Sequence, residues 1–148
     1  MAKILVISER WWPEGSGGEL ATYLIVKGLA EEGFEVTVMH GSKKAWRIPG
    51  VRLVYEPLLG PRSKHLLWLN SMRLARKERF TGLVRSSDTV YIPRISYPLI
   101  EAAKRLGRRV VVHIHAYQPV SYSSAVPAPF EEWRGRIEQF QHSHEFQG

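Results

Sequence analysis

The stretch RWWPEGSGGEL, residues 10–20, follows directly on the apolar run KILVIS. Its chemistry lies in small residues and acids. Gly17 and Gly18 carry no Cβ, so a ligand can come close to the backbone there. If they open a helix, its free N–H groups and dipole favour a negative group. The plainer reading is that the glycines only allow a turn. Ser16 and Glu19 have the S-x-x-E spacing of a capping box, in which each side chain satisfies an orphan backbone donor. Glu19 is therefore either a cap or a ligand contact. His113 and His115 stand two apart on an expected strand, hence on one face. That spacing could begin a metal site, but no third ligand stands nearby and no metal is expected. His142 and His144 repeat the spacing near the C-terminus.

A second group is electrostatic. The 148 residues carry a formal charge of +7. Between residues 61 and 85 stand Arg62, Lys64, Arg73, Arg76, Lys77, Arg79 and Arg85, opposed there by Glu78 alone. A local basic patch points to an anionic partner, such as a phosphate, an acidic lipid surface or nucleic acid. Arg73, Arg76, Lys77 and Arg79 share an expected helix with Leu66, Leu67, Trp68 and Leu69. Such a helix could lie on anionic lipid, or could simply pack on a sheet with its charged face in water. Nucleic acid is not favoured, because aromatic residues do not interleave with the charges as stacking platforms would. Trp11, Trp12 and Trp46 fall in expected loops, where they could stack on sugar rings or close an interface to another domain.

Several familiar sites fit poorly or are absent. A dinucleotide fingerprint needs G-x-G-x-x-G in a tight turn; Gly15 and Gly17 fit, but position 20 is leucine and the loop is long. His40 ends the second strand where an acid would hold a ribose. No G-x-x-x-x-G-K-[ST] occurs, which excludes a P-loop. A phosphoacceptor domain would want paired acids after the first strand, where Glu9 is alone. The chain has no cysteine, which excludes disulfides and thiolate metal sites and fits a reducing cytoplasm. No signal peptide is expected, and no apolar run of about 18 residues is present to span a membrane.

The elements that would position these residues follow from apolar periodicity and turn signals. Hydrophobic residues make up 44% of the chain, enough for a single-domain core. Strands are expected over 3–8, 34–40, 51–55, 88–93 and 108–115. Helices are expected over 17–32, 66–85, 98–107 and 129–140, with residues 141–148 as a frayed tail. In the first helix Leu20, Leu24 and Gly28, flanked by Ala21 and Ile25, form the expected buried face. Alternation of strand and helix predicts an α/β fold: a single Rossmann-like domain over 1–140, with a parallel sheet in the order 3-2-1-4-5 and helices on both faces. Ligands of such sheets bind outside the carboxyl ends of the strands.

Two stretches resemble the N-terminal, acceptor-binding domain of family-four glycosyltransferases with the GT-B fold. In the first, KILVISERWWPEGSGGELATYLIVKGLAEEGFEVTVMHG, the family's features are met by Trp12-Pro13, by Gly17-Gly18 with Glu19, and by Gly33-Phe34-Glu35-Val36-Thr37-Val38. In the second, RLGRRVVVHIHAYQP, His115 takes the place of the family's active-site histidine. Ala116 stands where glycine is usual, and Arg94-Ile95-Ser96 replaces a histidine-containing turn. The resemblance covers residues 1–120 or so. It implies that His115 is catalytic, that Gly17, Gly18, Glu19 and Arg94 contact substrate or phosphate, and that Arg73, Arg76, Lys77 and Arg79 face an anionic acceptor or membrane.

By the same resemblance the chain is the acceptor half of a retaining, nucleotide-sugar-dependent enzyme. It would be inactive alone, bind no cofactor itself, and be cytoplasmic or peripheral at the inner membrane face. Its partners would be a C-terminal Rossmann-like domain, for which the chain has no room, and a sugar or lipid-linked acceptor. An expressed fragment, a truncated gene and one subunit of a split enzyme all fit that expectation. The competing readings are a non-catalytic subunit that docks a separate donor-binding protein at the membrane, and an unrelated nucleotide-binding module.

Overall fold

The computed structural model describes residues 2–93 and 96–113. Runs of β-branched and aliphatic residues form five strands: β1 (Lys3–Ser8), β2 (Glu35–His40), β3 (Val51–Tyr55), β4 (Thr89–Ile92) and β5 (Arg109–Val112). All pairings are parallel, and the order is β3-β2-β1-β4-β5, as expected. Four helices connect them: α1 (Gly17–Glu31), α2 (Lys64–Leu74), α3 (Glu78–Arg85) and α4 (Pro98–Arg105), with a 3-10 turn at Pro57–Leu59. Val6 is central, facing Val38 on one side and Tyr91 on the other.

Alternation along the strands divides the core in two. Leu5, Ile7, Val90 and Ile92 pack with Leu67, Leu74, Phe80, Val84, Leu99, Ile100 and Ala103, so α2, α3 and α4 cover one face. Val6, Val36, Val38 and Tyr91 pack with Val26 and Trp11, so α1 covers the other, alone among the described helices. Right-handed crossovers require this division: the chain steps from β1 to β2 in one direction and reaches β4 in the other. Loops therefore gather at the carboxyl edge of the sheet, where β1 and β4 lead away from each other.

Two sequence expectations are corrected here. The helix expected over 66–85 is two helices, α2 and α3, broken at Ala75, Arg76 and Lys77. The break has a phase cause. Leu67, Asn70, Ser71 and Leu74 form one buried stripe, and the next buried residues are Phe80 and Val84. At about 100° per residue, Phe80 would lie well off the Leu74 stripe in a continuous helix. The chain must turn to bury both.

The second correction concerns the face of α1. Glu19, Thr22 and Val26 are buried, while Leu24 is 54% and Ile25 37% exposed. The buried polar groups are satisfied within the helix start. Thr22 Oγ1 donates to the Gly18 carbonyl at 3.0 Å, and Glu19 folds back onto Ser16. Tyr23 beside them meets the Trp11 ring at 5.6 Å and the Trp46 ring at 6.1 Å. Those aromatic contacts, with the cap, set which side of an apolar helix turns inward.

Candidate functional site

The loop after β1 and the loop after β2 are tied to each other. The Trp11 N–H donates to Ser42 Oγ at 2.8 Å, and its indole N–H donates to the Trp46 carbonyl at 2.8 Å. The Trp46 N–H returns to the Trp12 carbonyl at 2.9 Å, and the Lys44 N–H donates to the Glu14 carboxylate at 2.8 Å. Pro13 and Ala45 form an isolated antiparallel bridge. Trp11 is fully buried, so this ring belongs to the core and is not free to stack on a sugar. Trp46 remains 54% exposed, with Trp12 edge-on against it at 6.1 Å.

Beside these tied loops lies a cleft of about 720 Å³ at the carboxyl ends of β1, β2 and β3. Arg10 and Glu14 come from the first loop, Lys43 from the second, and Tyr55, Gly60 and Arg62 from the end of β3 and the 3-10 turn. Gly41 forms part of the wall, and a Cβ on it would stand 2.3 Å from the Leu59 carbonyl carbon. The two backbones can meet there only because the residue is glycine. The Lys44 N–H bond is the first cause that holds the Glu14 carboxyl below its usual range. Glu14 is thus an ionised acceptor at the rim.

His40 lies beneath the same loops and is buried. Its Nδ1 accepts the Ser42 N–H at 3.2 Å, which requires a lone pair on that nitrogen. Burial pushes the imidazole pKa below its ordinary value, while Glu14 pulls the other way. At the switch point between β1 and β4 stands a buried carboxylate, Glu9, to which the Ser96 hydroxyl donates. On the α1 face, the Tyr91 phenol and His113 Nδ1 are 2.9 Å apart, and burial pushes the Tyr91 pKa up.

The start of α1 forms as the S-x-x-E spacing predicts. Ser16 is the N-cap, and Glu19 accepts its N–H at 2.7 Å. This carboxylate already supplies negative charge at the helix N-terminus. The glycine the turn requires is Gly15, with φ +118° and no room for a Cβ beside the Glu19 side chain. At Gly17 a Cβ would meet nothing within 4 Å, so the backbone there faces open space.

The basic residues separate. Glu56, buried at the end of β3, accepts the Leu58 N–H at 3.2 Å and draws in Lys77 at 3.5 Å and Arg79 at 3.9 Å. Arg73 and Arg76 are exposed. Three large apolar residues, Leu66, Leu69 and Met72, are also exposed on α2, at 46%, 50% and 43%. No helix among the described residues is long and apolar enough to cross a membrane. His115 and Arg94 lie outside the described residues, as do the expected helix over 129–140 and the tail.

Sequence reasoning missed Arg10, Glu14, Lys43 and Tyr55 as a group. Arg10, Lys43 and Tyr55 stand within three residues of the carboxyl end of a strand, where the rule for ligands of such sheets points, and Glu14 lies farther along the first loop. No protein-family model and no curated protein matches the chain. Among solved structures, it is similar to the C-terminal domain (residues 78–226) of the PF1911 hydrogenase from Pyrococcus furiosus. The identity is 24%, over 76% of this chain and 91% of that one, with a TM-score of 0.49.

Two expectations follow. Urea unfolding should show Gly15→Ala losing about 1–3 kcal/mol through backbone strain and the Glu19 clash. Gly17→Ala should be neutral or gain about 0.5 kcal/mol; equal losses at both positions would contradict this account of the turn. The second concerns pH. A histidine with a depressed folded-state pKa binds fewer protons folded than unfolded, between that value and the ordinary 6.5. Its contribution is full above 6.5 and is lost as pH falls toward the depressed value. Glu14 contributes in a lower window, below its ordinary 4.5. Urea midpoints followed from pH 8 to pH 5 should therefore decline below about pH 6.5, and His40→Asn, which retains an acceptor for Ser42, should flatten that decline.

Proposed function

We propose that the chain is the acceptor-binding half of a nucleotide-sugar-dependent, retaining glycosyltransferase that works with a second, donor-binding Rossmann-like domain. The observation that carries this reading is the cleft at the carboxyl edge of β1, β2 and β3. It is bounded in part by the Trp-Pro and glycine loop on which the family resemblance rests. Its wall combines cations, the ionised Glu14, the Tyr55 phenol and bare backbone at Gly41. Such a wall offers donors and acceptors to a ligand rich in hydroxyls, and the tied loops hold them in place before the ligand arrives. In the complete enzyme the backbone at Gly17 would face the second domain and the leaving phosphate, where N–H groups stabilise developing negative charge.

The test is calorimetric titration of the isolated chain with NAD, UDP-glucose and GDP-mannose, joined by amide chemical-shift mapping with glucose and glucose 6-phosphate. The expected result is no dinucleotide or nucleotide-sugar binding tighter than about millimolar. Shifts caused by the sugars should cluster at Arg10, Lys43, Tyr55 and Arg62. Micromolar NAD binding would end the glycosyltransferase reading.

Membrane attachment is a separate part of the proposal. The exposed Leu66, Leu69 and Met72 share α2 with Arg73 and lie close to Arg76, a mixture suited to an anionic bilayer. Co-sedimentation with vesicles containing phosphatidylglycerol should exceed that with phosphatidylcholine alone. It should fall at least several-fold in Arg73→Glu/Arg76→Glu, each basic residue near an anionic surface contributing about 1 kcal/mol. Equal sedimentation with both vesicle types would remove this part of the proposal.

A further inference from the structure

The cleft carries more positive charge than a neutral sugar requires. Arg10 follows β1, Lys43 follows β2 and Arg62 follows the 3-10 turn, and all line one concave space. The acid on that wall, Glu14, has its carboxylate engaged by the Lys44 N–H and also feels the charge of Arg10, so the wall holds three cations against one acid. Arg10, Lys43 and Arg62 make no ion pair with any described residue. Elsewhere cations do find acids: Lys77 and Arg79 meet Glu56, Lys3 meets Glu35, and Arg105 meets Glu101. Three cations around one space exceed the single carboxylate there, and the excess repels itself unless a further anion joins them. The segments that carry them are set by backbone bonds: the loops after β1 and β2 by their mutual ties, and the 3-10 turn by Gly60 N–H to Pro57 and Leu59 N–H to Glu56.

We propose that this cleft binds a phosphomonoester, with Arg10, Lys43 and Arg62 around the phosphate and the organic part against Tyr55 and Glu14. Guanidinium groups match phosphate oxygens by paired, charge-assisted hydrogen bonds, and a lysine adds a compact charge. The inference rests on the acceptor-binding reading and narrows it: the acceptor is phosphorylated. The same chemistry is offered by a free sugar phosphate and by a lipid-borne phosphomonoester.

Calorimetry at constant ionic strength, set with sodium chloride, would compare inorganic phosphate, glucose 6-phosphate, glucose and the soluble dihexanoyl phosphatidic acid. At least one phosphorylated organic probe should bind tenfold or more tighter than glucose, and the stronger of the two identifies the source. Arg10→Gln and Arg62→Gln should each weaken it roughly tenfold, the worth of one charge-assisted bond. Lys27→Gln, exposed on α1 and outside the cleft, should leave it unchanged, and far-UV circular dichroism should show all three variants folded. Glucose binding as tightly as both glucose 6-phosphate and the phosphatidic acid would overturn the inference while leaving the acceptor-binding reading intact. Phosphate binding that ignores Arg10→Gln and Arg62→Gln, or that is lost in Lys27→Gln, would overturn it too. So would a failure of every phosphorylated probe to bind at up to roughly 10 mM. Tight NAD binding, by contrast, strikes the glycosyltransferase reading itself.

Discussion

The buried Trp11 is the constraint on which the rest of the site depends. Its ring fills the core between the sheet and α1, a burial that stabilises by about 3 kcal/mol or more. Its two N–H groups both reach the loop after β2, one to Ser42 and one to Trp46. One residue thus satisfies its own polar atoms, closes the hydrophobic layer and fixes two loops relative to each other. The bonds at Trp12, Glu14 and Pro13 continue that seam outward. Without it, Arg10 and Lys43 would sit on independent loops, and no cleft of defined shape would lie between them.

Glu56 does comparable work on the far side of the cleft. It caps the 3-10 turn that carries Gly60 toward Arg62, and it meets Lys77 and Arg79 across the break between α2 and α3. Both cations are about half exposed, so solvent screens the pairs and their stabilisation is small. Their importance is positional. A buried carboxylate with cations at its edge explains where the second helix begins and why part of the basic segment is structural. Of the segment's other cations, Arg73, Arg76 and Arg85 face solvent and Arg62 faces the cleft.

Much of the frame was legible before any coordinates. β1 and β3 fall on the residues expected, because short apolar runs bounded by turn residues read as strands. The start of α1 was marked by Ser16 and Glu19, and its end by Gly33, whose φ is +91°. Strand order followed from crossover handedness. What escaped were features decided by distant contacts. The break after Leu74 contains neither glycine nor proline, and only the shift of the buried stripe from Leu74 to Phe80 betrays it. The inward face of α1 was set by Trp11 and Trp46, which lie outside the helix. The cleft joins Arg10, Lys43 and Arg62 across more than fifty residues of chain, and local periodicity carries no record of that meeting. Gly15 was passed over for Gly17 and Gly18 because a positive φ cannot be told from a bare turn in the letters alone.

Gly41 has a consequence for how such a protein can diversify. Where it presses against the Leu59 carbonyl, the boundary between two loops consists of main chain on main chain. No side chain exists there to be enlarged, trimmed or recharged, and mutation of the glycine disturbs the framework itself. Selection for a different ligand must therefore act at the periphery, through the long side chains that project from rigid stems. Descendants of this architecture would keep the mould and exchange its fringe.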